Sequence, residues 1–499
     1  MMGKPNSNDL GVAAIRGWLE ATQGREIPTG LGAEEALRRA ETAWTRIEVG
    51  DMAALEAVCA PDRADEMHAM CRVIAREDGH SEWKLRSIAL FYQSVQQMSW
   101  PDDRINEQAD LLAQLSYLAW LHANRWSSFD EAEGWERIAV DQTLRHEMVR
   151  GFLAIPARSR SEDLNCRFLS DPAVLLATVL RLRNLVEASP LKCMEEAILI
   201  YGWLDKNRQV LESGEESELF LAELAWVAAV GYKHCGRYRE SQAWLDRLEH
   251  GCDGFAGTER VRARADYVRL AVLHELRCYQ EVIANLAELK ERFARLGMRL
   301  SFAKCCFLEA ITLKEVGRDA EARVAFDALI RDPAIQCDKS LQGMALIGIA
   351  ELDGRVGLFE AAHGNILKAS QVLKDSGTPL AVAHLHAVEG ELLRDQGKLN
   401  RAIDSYRAGV AIYSAGEFPS HAAYLRVVLA ETLIVAGREN EAVTEIVAAL
   451  PIIDEQGLVR EGLAAMALLC ESIRRQKADP RALRELRNQL DRMRKGVEL

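Results

Sequence analysis

The chain of 499 residues has no uninterrupted apolar stretch near the roughly 18 residues that a membrane-spanning helix needs. Its opening residues, MMGKPNSNDLGV, hold no apolar signal core. Its eleven cysteines, an odd number, include no CxxC pair, although Cys305 and Cys306 are adjacent. Scattered thiols of this kind read as reduced and buried rather than as a disulfide framework, so the expected location is the cytoplasm. No GxxxxGK[ST], HExxH or GxSxG motif is present. Gly24, Gly30 and Gly32 cluster near the start, but no strand precedes them and no Lys-Ser/Thr follows. His384 and His386 stand two apart, on different faces of a helix. No segment alternates in the manner of a strand, and no low-complexity stretch occurs. A net charge of −13 disfavours wholesale contact with nucleic acid. With 49% apolar and 27% charged residues, the composition is that of an ordinary water-soluble protein. These absences point away from an enzyme, a membrane protein and a cofactor carrier.

What is present is a 40-residue echo. Helical runs stop at Gly317, Gly357, Gly397 and Gly437. Five residues after each glycine stands an alanine: Ala322, Ala362, Ala402 and Ala442. Seven residues before each stands a small residue: Ala310, Ala350, Gly390 and Ala430. A fixed period of this size means stacked helical units, none of which buries its apolar face alone. Glycine at the turn permits the positive φ that a tight helix-to-helix connection needs.

The run from Ala387 to Gly409, with Gly390, Leu393, Gly397, Ala402 and Tyr406, resembles the tetratricopeptide repeat. So does Ala310 to Leu329, with Leu313, Gly317, Ala322, Phe326 and Leu329. A weaker copy holds Ala229, Tyr232, Gly236, Tyr238, Ser241 and Leu245. The next keeps Tyr279, Val282 and Leu286 but has Arg277 where glycine is expected. A degenerate last copy has Ala482 and Leu486. The long period is similar to that of kinesin light chains and peptide-sensing bacterial regulators. The resemblance implies an all-α solenoid of antiparallel helix pairs, wound as a superhelix, whose first helices line a concave groove for a protein or peptide.

The expected organisation has three parts. Residues 1–215 form an irregular helical, tryptophan-rich region that is partly repeat-like. All ten tryptophans fall between Trp18 and Trp244. Residues 216–473 form the regular array, preceded by a break at Leu211 to Glu218. Residues 474–499 form a basic capping helix, with nine Lys/Arg against four Asp/Glu. A cap is its simplest role, and an acidic partner or nucleic acid is the alternative.

Two columns carry the candidate partner-binding residues. Glu351, Glu391 and Glu431 recur 40 apart, at a position that the resemblance places in the groove. They suit a basic partner, unless Arg355 and Arg394 on the same helices neutralise them. Trp226, Tyr267 and Phe307, with Ile347, form an apolar column four residues earlier. Exposed, it anchors an amphipathic partner; shifted in phase, it is core between repeats. Cys59, His68, Cys71 and His80 contain one helical pair but lack the spacing of an ordinary zinc site, so no metal is expected. The expected function is a non-catalytic protein- or peptide-binding adaptor or regulatory subunit without cofactors. The alternatives are a ligand-sensing regulator whose N-terminal half is the effector, and a hydrolase built on a Cys–His pair.

Overall fold

The computed structural model describes residues 147–155, 172–211, 214–252, 256–332, 338–374 and 377–455, with a few single positions between them. The expected N-terminal helices before residue 147, the Cys59–His80 cluster and the basic segment 474–499 lie outside the described residues. Among the described residues every regular element is helical and there is no strand. The helices are α1 (Glu147–Ala154), α2 (Pro172–Leu185), α3 (Pro190–Lys206), α4 (Gly214–His234), α5 (Tyr238–Gly251), α6 (Glu259–Glu275), α7 (Tyr279–Arg295) and α8 (Arg299–Glu315). They continue with α9 (Asp319–Arg331), α10 (Lys339–Arg355), α11 (Phe359–Leu373), α12 (Pro379–Asp395), α13 (Leu399–Ala415), α14 (Pro419–Val435) and α15 (Glu439–Glu455).

The chain divides into two compact units. Of the described residues, the first takes those up to 181, with 203–220 and 256–259. Val149 and Phe152 are buried there, and the Arg160 guanidinium lies 4.0 Å over the Phe152 ring. Arg208 pairs with Asp205 and Glu218 in the same unit. The break expected at Leu211 to Glu218 is shorter than its sequence suggests, since α4 already begins at Gly214. Glu216 sits in its first turn, where a carboxylate favours a helix N-terminus.

The second unit takes residues 182–202, 221–252 and 260–455. It is a solenoid of tetratricopeptide-like helix pairs, and the 40-residue period becomes one pair per period. Each first helix, α8, α10, α12 and α14, turns back into its second helix through a glycine at positive φ: Gly317 at 80°, Gly357 at 76°, Gly397 at 72° and Gly437 at 73°. In each turn the amide after the glycine reaches back five residues, as from Lys398 N to Leu393 O at 2.9 Å. The α6–α7 turn is built the same way from Arg277, at φ 61°, with Cys278 N bonded to Leu273 O at 2.9 Å. The expected glycine is missing there, but its backbone conformation is not.

The two helices of a pair are buried differently. Second helices bury one stripe at i, i+4 and i+7, such as Ala322, Phe326 and Leu329 on α9. First helices are sandwiched between the pairs before and after them. Accordingly α14 is buried from Leu425 to Ile434 with only Arg426 partly exposed. The small residues of the period mark the crossing points: Ala310, Ala350 and Ala430 share their cores with Phe326, Ile366 and Ile446, and all three alanines have no exposed surface. At the fourth crossing, a Cβ on Gly390 would lie 2.6 Å from the Tyr406 ring. Glycine there compensates for the bulkier partner.

Candidate functional site

The first helices bring their polar and aromatic residues to a common face. Trp226 on α4, Tyr267 on α6 and Phe307 on α8 are each half-buried. The Arg264 guanidinium stands 5.2 Å from the Trp226 ring centroid. Tyr267 packs on the cluster of Ala263, Leu270 and Val282. Phe307 meets Phe326 at 6.0 Å, nearly edge-on. Their fourth member, Ile347, has no exposed surface and belongs to the core around Ala350 and Ile366. The apolar column is therefore part surface and part core, with the change between α8 and α10.

The acidic column is tied to its surroundings. Glu351 is paired with Lys314, one copy earlier on α8, rather than with Arg355 on its own helix. Arg355 turns instead to Asp319, at 3.1 Å, and to the Lys314 carbonyl, at 2.8 Å. Against its burial, Lys314 first and then His384 and Arg355 hold the Glu351 carboxyl below its usual range. Glu391 is half-buried and Glu431 is only 6% exposed. The Arg394 guanidinium lies in the field of both, and they help to hold it above its usual range against desolvation. Within the column Glu351 is half-buried and paired, Glu391 is half-buried beside Arg394, and Glu431 is buried.

A second polar column lies three residues before the aromatic one: Glu223, Arg264 and Lys304 at steps of about one period, with Met344 interrupting it before His384. Sequence reasoning missed it because its residue types differ from copy to copy. Glu223 has no exposed surface and is held by Arg264, with Arg183 at 3.8 Å. Lys304 donates to Glu187 at 2.9 Å, across 117 residues of chain. That pair is 28% and 42% exposed, so water reaches it. Lys304 lowers the Glu187 carboxyl, and Glu187, followed by Asp338, raises the Lys304 ammonium against desolvation. Desolvation lowers Lys233, which also feels Glu275 and Glu187. Burial raises the Tyr267 hydroxyl. Lys233 on α4, Tyr267 on α6 and Lys304 on α8 thus share the field of Glu187.

The thiols whose acidity shifts are all weakened by burial: Cys235 and Cys306 to about 11, and Cys305 further. That is the opposite of an activated nucleophile. Among the described residues, no group of three His, Cys, Asp or Glu is arranged to hold a metal ion. No described helix is long and apolar enough to cross a membrane.

No protein-family model matches the chain, and no curated protein does. Among solved structures, it is similar to a Rap protein complexed with competence and sporulation factor. The identity is 13%, the match covers 86% of this chain and 100% of the other, and the TM-score is 0.31. It is also similar to the Cut9–Hcn1 hetero-tetramer of the APC/C, at 12% identity, with 90% and 97% of the two chains covered and a TM-score of 0.36. Neither likeness carries a residue's role across.

Proposed function

We propose that this chain is a non-catalytic, cytoplasmic adaptor or regulatory subunit that holds a protein or peptide segment on the face built by its first helices. The observation behind the reading is the row of half-buried Trp226, Tyr267 and Phe307 beside the buried Glu223–Arg264 pair and the wet Lys304–Glu187 pair. Large aromatics kept partly in water, flanked by groups that already have their own counter-charges, supply anchor area without the cost of burying a bare charge. An amphipathic segment fits such a face: its apolar residues meet the aromatic end, and a basic residue meets Glu391 at the other. The expected organisation of an N-terminal region, an array over 216–473 and a basic cap belongs to the same proposal.

The test is affinity purification of the tagged chain from its native cell, with mass spectrometry of what co-purifies. Trp226→Ala/Phe307→Ala and Glu391→Lys variants run in parallel, each checked for unchanged helicity. A partner kept by the parent and lost by the folded aromatic variant supports the reading. A partner retained equally by both variants refutes it for this face. A partner that is lost only when residues before 216 are removed favours an effector in the N-terminal region.

A further inference from the structure

The turn between α13 and α14 touches residues far back in the chain. Its Glu417 carboxylate accepts the Lys192 backbone N–H at 3.2 Å, across 225 residues. That amide is one of the free donors in the first turn of α3, so Glu417 caps a helix from a distant part of the same unit. Ser420 Oγ donates to the Cys235 carbonyl at 2.9 Å, just past the end of α4. Phe418, with no exposed surface, sets its ring edge-on to His234 at 5.8 Å. His421 packs on Tyr413 and Phe418 at 5.2 and 6.1 Å. Glu417, Phe418 and Ser420 thus grip the start of α3 and the end of α4.

The backbone of this turn is chosen for its side chain. Glu417 sits at φ 63°, in the left-handed region. The corresponding connection between α7 and α8 uses Gly297 at 69°. Holding a non-glycine residue there is unfavourable. The structure keeps glutamate where only its carboxylate reaches Lys192.

We propose that this turn is a clasp closing the array onto α3 and α4, and that protonation of His234 opens it. His234 is 6% exposed at the end of α4. The charged groups facing it are Lys233 on its own helix, His421 on α14 and Lys304 on α8, all of which oppose a further positive charge. Glu417, beside Cys235, is the acid of the clasp and is engaged with Lys192. Burial first, then those three groups, hold His234 well below the usual histidine range. The sign follows. Above about pH 6.5, the ordinary histidine value, both forms are neutral at this ring and the clasp has its full stability. Below it, an opened clasp takes up a proton that the closed one refuses. The open fraction rises by up to about tenfold per pH unit until the closed-form value is reached. The inference concerns how the array closes and stands whatever the face binds.

The test is hydrogen–deuterium exchange of the full chain between pH 7.5 and 5.5, corrected for the intrinsic pH dependence of exchange. Protection at Lys192 to Glu196, Lys233 to Arg237 and Glu417 to His421 is expected to fall by up to about tenfold per unit below pH 6.5. Amides of α10 and α11 should keep theirs. His234→Phe, or His234→Gln if the larger ring disturbs packing, should hold protection constant over the same range. Glu417→Gly relieves the backbone and removes the cap. It should lower protection at all three segments at pH 7.5 while leaving α10 and α11 unchanged. Equal corrected protection at both pH values in the parent overturns the proposal. So does the same loss in the His234 variants, or full protection in Glu417→Gly.

Discussion

The crossing of Gly390 with Tyr406 gives the sharpest test of how the pairs are packed. An alanine Cβ at 390 would lie 2.6 Å from two atoms of the ring and 3.0 Å from a third. Unstrained carbon contacts fall at about 3.5–4.0 Å, so the ring or the helix must give by roughly 1 Å. Tyr406 has no exposed surface and so cannot swing into water. Overpacking of this kind costs about 1–3 kcal/mol. Replacing a mid-helix glycine by alanine returns about 1 kcal/mol. Gly390→Ala alone is therefore expected to destabilise α12–α13 by about 1 kcal/mol. Tyr406→Ile alone leaves a void and should cost about 2–4 kcal/mol. Together the two changes rebuild the arrangement of Ala350 with Ile366 and Ala430 with Ile446, which already packs without exposed alanine surface. The double variant should then be more stable than the sum of the singles by about 1–2 kcal/mol. Native-state hydrogen exchange at α12 and α13 amides is the appropriate assay, because a repeat array opens in parts. Additivity within about 0.5 kcal/mol would show that the two sites do not share the crossing.

Four further outcomes follow from the same structure. Arg277→Gly should stabilise the α6–α7 pair by about 0.5–1 kcal/mol, since it relieves a left-handed arginine at some entropic cost; no gain in exchange protection there counts against the turn. Ala402→Leu should destabilise α12–α13 by about 1–3 kcal/mol, and an unchanged urea midpoint would mean the crossing is wrongly placed. A thiol reagent at pH 8 should modify exposed Cys278 well before Cys305, which is buried and pushed up by burial; equal rates would show that α8 opens freely. Glu391→Lys should weaken a basic partner and, beside Arg394, cost less stability than Glu431→Lys, which places a charge at a 6% exposed site and should damage the fold itself.

The parts of this fold that were legible in the sequence are those set by local chemistry. Gly317, Gly357, Gly397 and Gly437 announce their turns because a left-handed residue strongly favours glycine. Ala310, Ala350, Gly390 and Ala430 announce the crossings because a small residue suits a close approach. Arg277 hid its turn because the surrounding hydrogen bonds impose the conformation without the residue that signals it. The pairing of Glu351 was misread for a different reason. Arg355 is its neighbour in sequence, but Lys314 reaches it from the first helix of the preceding pair, where spacing along one helix says nothing. The Glu187–Lys304 bridge had no local signal at all, since 117 residues separate its members.

That bridge and the contact between Glu417 and Lys192 have a consequence for length. A stack whose members touch only their neighbours is open-ended, and a copy can be gained or lost with little penalty. This one is not. Inserting or deleting a single pair between α4 and α13 would carry Glu417 a whole rung away from the amide it caps, and a change before α8 would also part Glu187 from its lysine. The number of copies is therefore counted by the molecule itself, as links are counted in a bracelet with a fastener. Length variation should be confined to regions outside the span from Glu187 to Ser420.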